Sequence, residues 1–305
     1  MEGEKKMITV LITYAAGVPE IFEVCLASLA RHEPGVPVKI RVITDKFGYA
    51  EANDVVGNFS FLNPAVYCYN IEDYKSGSEM HGKLLDMAIE LVNTDYFMTL
   101  DSDCFPIASN WGKKLIDLDG EVTGILQPWI PAPEDIDEAT IEYKIRKFHC
   151  YNCTQVACQL MRRDFFVENK LSFLGSYDTG FGIIEKLWEK GLKVKGLMPS
   201  RCPIPKGGID PELNRICSVV YGDTFYHHGA ATRKNVTGDI DPYGFFEDAR
   251  KRVLEEKGAE WLLDSANSYQ YKFDKEEEVA QFKMESMYMA MRDYLLTHDS
   301  LFDKI

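Results

Sequence analysis

Two hydrophobic rhythms alternate along the first hundred residues. Ile8–Thr13 is a continuous β-rich run, the pattern of a strand buried on both faces. A turn over Tyr14–Pro19 follows, and Pro19 suits the first position of a helix. Ile21, Phe22, Cys25, Leu26 and Leu29 then recur at helical spacing until Pro34 and Gly35. Val38–Thr44 predicts a second strand ending at Asp45, and Val66–Asn70 a third. Ser78–Asn93 predicts a helix with Leu84, Leu85, Ala88, Ile89 and Val92 turned to a sheet. It leads straight into the apolar run Tyr96–Leu100. Strand–helix–strand alternation with short links implies an α/β fold with a mostly parallel sheet and right-handed crossovers.

Beyond residue 104 the rhythm loosens. Val122–Leu126 predicts a short strand, the Pro-rich segment from Gln127 to Pro133 a loop, and Thr154–Met161 another strand. A helix follows through Ile184, Leu187 and Trp188 to Gly191. After Gly238 the composition turns to Asp, Glu, Lys, Met and aromatics, with helical spacing at Phe245, Phe246, Ala249 and Val253 and again from Val279 to Leu295. The expected organisation is a main domain over 1–238, with halves at 1–104 and 105–238. A helical extension over 239–305 packs on that domain or on a second copy as a homodimer.

Charge and cysteine content narrow the setting. The 305 residues are 46% hydrophobic with a net charge of −14, a surface that repels nucleic acid and anionic membranes. Met7–Thr13 is too short for a signal-peptide core and nothing later approaches a membrane span, so a cytoplasmic protein is expected. The eight cysteines are then reduced, and Asn58, Asn152 and Asn235 carry no glycan. His149, Cys150 and Cys153, with Cys158, Cys202 and Cys217, offer half the spacing of a zinc site. No second Cys-x-x-Cys pair exists, so reduced, buried thiols are the better reading.

The chemistry concentrates at Asp101 and Asp103, where a buried strand meets Pro106. Side chains two apart on an extended backbone point the same way, so both carboxylates can address one ion in the crevice where such sheets bind ligands. The plainer alternative is a polar strand end with Asp as turn former.

Three stretches resemble the nucleotide-sugar half of GT-A fold glycosyltransferases, a Rossmann-like superfamily. They are the strand ending in Thr13-Tyr14, the helix ending at Cys25–Leu29, and the helix leading into Asp95–Asp103. The resemblance implies a divalent metal held against a nucleotide diphosphate. Asp103 is then the direct ligand, and Asp101 contacts the ribose or the metal through water. It also implies donor contacts from Thr13, Tyr14, Asp45 near the base, and Lys83, which would otherwise be a solvated helix residue. Thr224–Arg233 resembles the family's late histidine segment, so His227 or His228 completes the metal shell and Arg233 meets a phosphate. Only one of the two histidines can face the ion from a strand. A mixed oxygen–nitrogen set favours Mn²⁺ over Mg²⁺.

Asp178 matches the family's acceptor-activating base, although it stands two residues further from Gly191 than usual and Gly180 holds the aligned position. Asp178 as a helix cap is the competing reading, and a retaining outcome stays open. Trp129 either stacks on a sugar or packs beneath its loop. The function implied is transfer of a sugar, from a UDP-sugar by family frequency, to an acceptor hydroxyl on a glycan, lipid, protein or modified nucleic acid. The alternatives are a nucleotidyltransferase, whose Gly-rich phosphate loop is missing at Tyr14–Gly17, and a non-catalytic sugar-nucleotide or glycan binder.

Overall fold

The computed structural model describes residues 6–127, 153–175, 194–203, 218–229 and 245–270, together with 179–180, 182–183, 186–187 and 190. The first buried run is strand β1 (Ile8–Thr13), flanked in the sheet by β2 (Val38–Thr44) and β4 (Tyr96–Asp101). Strand β3 (Ala65–Cys68) lies beyond β2, and β7 (Cys153–Arg162), β6 (Val122–Gln127) and β8 (Lys195–Leu197) continue the sheet beyond β4. The order is β3-β2-β1-β4-β7-β6-β8. All neighbours are parallel except β7, which runs against both β4 and β6. This is the mostly parallel α/β sheet that the sequence predicts.

Alternation along β1 explains why it sits at the centre. Ile8, Val10 and Ile12 join the core with α1 (Pro19–Arg31) and α2 (Tyr49–Gly57), while Leu11 joins the opposite core with α3 (Gly77–Ala88) and α5 (Arg163–Glu168). Pro19 opens α1, whose buried stripe includes Ile21, Phe22, Cys25, Leu26 and Leu29. Helix α3 is capped by Ser76, whose Oγ accepts the Glu79 amide at 3.2 Å, a contact of about 1 kcal/mol. It ends at Ala88, and one 3₁₀ turn (Ile89–Leu91) completes the stretch predicted as helix.

A second sheet was not anticipated. Its order is β12-β9-β10-β11-β5, with every pair antiparallel. The strands are β5 (Cys104–Pro106), β9 (Pro199–Pro203), β10 (Val219–Tyr221), β11 (Phe225–His227) and β12 (Ser268–Gln270). Four of the five have three residues, too few for alternation to show in sequence. Helix α4 (Trp111–Asp117) follows β5, and the Trp111 ring meets Phe225 edge-on at 6.0 Å.

The described part of the expected C-terminal extension includes helix α6 (Phe245–Glu256). Its Val253, with Ala259 and Leu262, is buried in the α1-side core, and Glu260 receives Arg31 and His32. Strand β12 completes the second sheet, so residues 245–270 are packed into the same body. Residues 271–305, with the Met-rich stripe, lie outside the described residues. No helix among the described residues is long and apolar enough to cross a membrane.

Candidate metal and nucleotide site

The two sheets meet at one turn. Asp101 ends β4 level with Thr13, the last residue of β1, and the Ser102 amide donates to the Thr13 carbonyl at 3.1 Å. Cys104 then starts β5 in the second sheet, so Asp103 lies at the corner. Strand β11 pairs against β5 with His227 opposite Cys104, and the His228 amide donates to the Asp103 carbonyl at 2.9 Å. A histidine 124 positions downstream is carried to the carboxylates by three ladder pairs and this bond.

Oxygens of Asp101 and Asp103 and a ring nitrogen of His227 all lie within 4.8 Å of one another. His227 Nε2 is 3.7 Å from Asp103 Oδ1. The Asp103 side chain is 11% exposed, whereas that of Asp101 keeps 30% of its surface open. Two carboxylates so close repel unless a cation lies between them, and two oxygens with one imidazole suit a divalent first-row ion. The donor set therefore fits the implied metal.

The thiols behind the corner do not compete for that ion. Burial pushes the Cys25 thiol up, and the charges of Asp103 and Asp101 push it further. Cys104 is raised by burial first and then by its neighbour Cys158. Both stay neutral thiols. His149 and Cys150 lie outside the described residues, and for Cys153 only the backbone is described.

Of the two histidines expected as alternatives, His227 joins the cluster and His228 does not. The His228 ring is fully buried on the other side of the strand, with Nδ1 2.8 Å from Tyr226 Oη and 3.4 Å from Ser218 Oγ. Burial pushes its pKa down to about 4, against the opposing pull of Asp103. It holds the corner through its backbone, while His227 faces the carboxylates.

The expected donor contacts separate. Thr13 is half-buried beside Asp101. Tyr14 is 1% exposed, with its ring 4.7 Å from Phe22 and its hydroxyl on Glu51, so that side chain belongs to the core and not to a ligand surface. Asp45 Oδ1 accepts the amides of Phe47 and Gly48 at 3.0 Å each, which fixes the turn after β2. Lys83 pairs with Glu79 at 2.8 Å and with the Asp73 carbonyl. It lines a separate open cavity of about 420 Å³ with Asn70, Asp73, Asp86, Met87 and Leu174.

Asp178, Arg233 and Trp129 lie outside the described residues. The flanks of Asp178 are informative. Ser172 Oγ and the Phe173 amide both donate to Asp86 on α3, and Thr179 Oγ1 donates to the Ser78 carbonyl at 2.8 Å. Gly180 has φ +80°, and a Cβ there would lie 2.1 Å from Val156 Cγ2. The aligned position cannot hold an acid, which explains its glycine.

One residue at the corner escaped the sequence reading. His81, on the second turn of α3, places Nε2 3.1 Å from Thr13 Oγ1 and 3.3 Å from Asp101 Oδ1. The available signal was its place on the helix. His81, Leu85 and Ala88 are spaced i, i+4, i+7, so a polar ring continues the buried stripe at the end that meets the strand termini.

No protein-family profile and no curated protein matches the sequence. Solved structures similar to this chain include 4-diphosphocytidyl-2C-methyl-D-erythritol synthase from Anaerococcus prevotii, at 12% identity and TM-score 0.41 over 63% of this chain and 89% of that one. TarS of S. aureus is similar at 15% identity and TM-score 0.41, over 59% of this chain and 33% of that one. The galactosyltransferase LgtC, solved with donor and acceptor sugar analogs, is similar at 15% identity and TM-score 0.41, over 62% and 73%. The site itself is defined by this chain's own residues.

Proposed function

We propose that the chain is a metal-dependent, cytoplasmic glycosyltransferase that moves a sugar from a UDP-sugar to an acceptor hydroxyl with inversion. The observation that carries this reading is the convergence of Asp101, Asp103 and His227 at the carboxyl ends of β1 and β4, the place where α/β sheets bind ligands. Asp103 and His227 would hold Mn²⁺, and Asp101, the more open carboxylate, would face the ribose or the ion through water. When bound, the ion offsets negative charge on the leaving diphosphate. Arg233 meets a phosphate, Thr13 borders the donor, and the turn fixed by Asp45 borders the base. Asp178 accepts the proton of the attacking hydroxyl, which becomes acidic only as its bond to C1 forms.

The test is hydrolysis of UDP-sugar by the purified protein without acceptor, with Mn²⁺ and with chelator. Turnover that needs Mn²⁺ supports an enzyme, and tight donor binding with no turnover indicates a binder. Asp178→Asn should keep donor affinity and lower transfer by roughly 10²–10⁴-fold. A cap would tolerate the same change, since Asn caps nearly as well. Parental transfer, or a product of retained configuration by NMR, removes Asp178 from the mechanism.

A further inference from the structure

We infer that His81 is the positioning residue of this site: it fixes the Asp101 carboxylate, and through it the strength of metal binding. The inference rests on the metal reading above. Three features carry it. The first is reach, since His81 Nε2 lies within hydrogen-bonding distance of both Thr13 Oγ1 and Asp101 Oδ1, at 3.1 and 3.3 Å. Its hydrogen bond goes to Thr13, and the Asp101 carboxylate lies beside it at the ends of the two central strands, which are in register at Thr13 and Asp101. The second is exclusion from the ion's own group. The three described residues with donor atoms within 4.8 Å of one another are Asp101, Asp103 and His227, and His81 is not among them.

The third feature is rigidity. Helix α3 is capped by Ser76, buried through Leu84, Leu85 and Ala88, and tied by Asp86 to Ser172 and Phe173. A ring on such a helix has few other places to go, and its side chain is only 20% exposed. A carboxylate can only accept, so in any bond between the two His81 Nε2–H is the donor. Asp101 ends a strand and keeps more open surface than Asp103. Left to itself, it would sample several rotamers, and each would have to be given up when the ion binds. A donor already in place removes that cost, as partners of metal-bound carboxylates do elsewhere.

The test follows uptake of Mn²⁺ alone by the full chain, with the free ion measured by EPR, beside a thermal melt of each variant. His81→Ala should weaken Mn²⁺ binding by about 10-fold or more, the usual effect of losing such a partner. His81→Gln, whose amide N–H reaches to a similar distance, should stay within about threefold of the parent. In an Asp101→Ala background, His81→Ala should cost nothing further, since its effect passes through that carboxylate.

Parental affinity in His81→Ala overturns the inference. So does a Gln variant as weak as the Ala variant, which would make the imidazole itself a ligand, and so does an undiminished loss in the Asp101→Ala background. If His81→Ala does not fold, the Gln variant and the Asp101→Ala pair decide. Parental uptake by Asp103→Asn, or none by the parent, would overturn the metal reading itself. Loss in Asp103→Asn without loss in His81→Ala overturns only the role of His81.

Discussion

The seven-stranded sheet and the five-stranded sheet share Asp103 as their corner, but they hold their parts of the site by different means. The first is a platform: β1 is buried along its length, carries a core on each face, and ends level with β4. Moving Thr13 or Asp101 would mean moving both cores. The second sheet delivers His227 on a strand of three residues, held by its ladder to β5, the His228–Asp103 backbone bond, and packing of Phe105 on Tyr226 at 5.2 Å. One ligand group therefore stands on a deep foundation and the other on a thin seam. Damage to the platform should remove binding outright, whereas damage to the seam should be graded and conditional.

The largest effect is expected at the corner. Asp103→Asn removes the least exposed carboxylate of the group and should abolish Mn²⁺-dependent donor binding, measured by calorimetry. The melting temperature should hold or rise, because one of two repelling charges is gone. Normal donor affinity in this variant would separate the corner from the metal altogether.

The seam should respond next, to acid. His228 has its pKa pushed down from 6.5 to about 4 by burial, so the folded chain keeps it neutral where the unfolded chain takes up a proton. Stability therefore falls as pH drops from about 6.5 to 4, by about 3 kcal/mol in all from this group. Above pH 6.5 the contribution is fully present. Urea melts at pH 7 and pH 4.5 should show a steeper loss for the parent than for His228→Gln. Equal losses would place the acid sensitivity elsewhere.

His227 distinguishes the two neighbours on β11. His227→Ala should weaken Mn²⁺ binding by about 10–100-fold, at least the loss that follows from removing a ligand's partner. Its thermal melt should stay close to the parent's, because the side chain borders the site and not the core. His228→Ala should do the reverse, lowering stability by roughly 1–3 kcal/mol as Tyr226 loses a buried partner, with a smaller effect on the metal. Equal, small effects from both would return the segment to a structural role.

These contrasts follow how each region was legible in sequence. Ile8–Thr13 and Tyr96–Leu100 are runs buried on both faces over most of their length, and Val38–Thr44 is buried on both faces from Val42 onward, a pattern that stands out unaided. Asp101 and Asp103 were visible because they interrupt such a run. The strands around His227 were not, since three residues carry no period and β11 pairs with partners up to 123 positions away. Tyr14 was read as ligand-facing, and His227 and His228 were left as alternatives, because sequence gives a side chain's identity and not its direction. One residue along a strand reverses the face, as His227 and His228 demonstrate. His81 was hidden for the opposite reason, being a polar residue on a stripe read for its apolar members.

The smallest effect is expected at Lys83, expected from sequence as a donor contact. Its ammonium is engaged by Glu79 one turn earlier and by the Asp73 carbonyl, and it lines the cavity beside α3, apart from the corner. An ion pair between half-exposed side chains contributes little, because water solvates both partners almost as well. Lys83→Met should therefore leave the Kd for a UDP-sugar with Mn²⁺ within about twofold of the parent and shift the melt by no more than about 2 °C. A donor phosphate reached by Lys83 would behave differently. Losing a charge-assisted bond costs about 1.5–3 kcal/mol, roughly 10- to 100-fold in Kd, and the loss should shrink at high salt. Calorimetry at low and high ionic strength separates the two. A salt-dependent loss of tenfold or more would extend the platform's share of the site from the strand ends along α3 to Lys83.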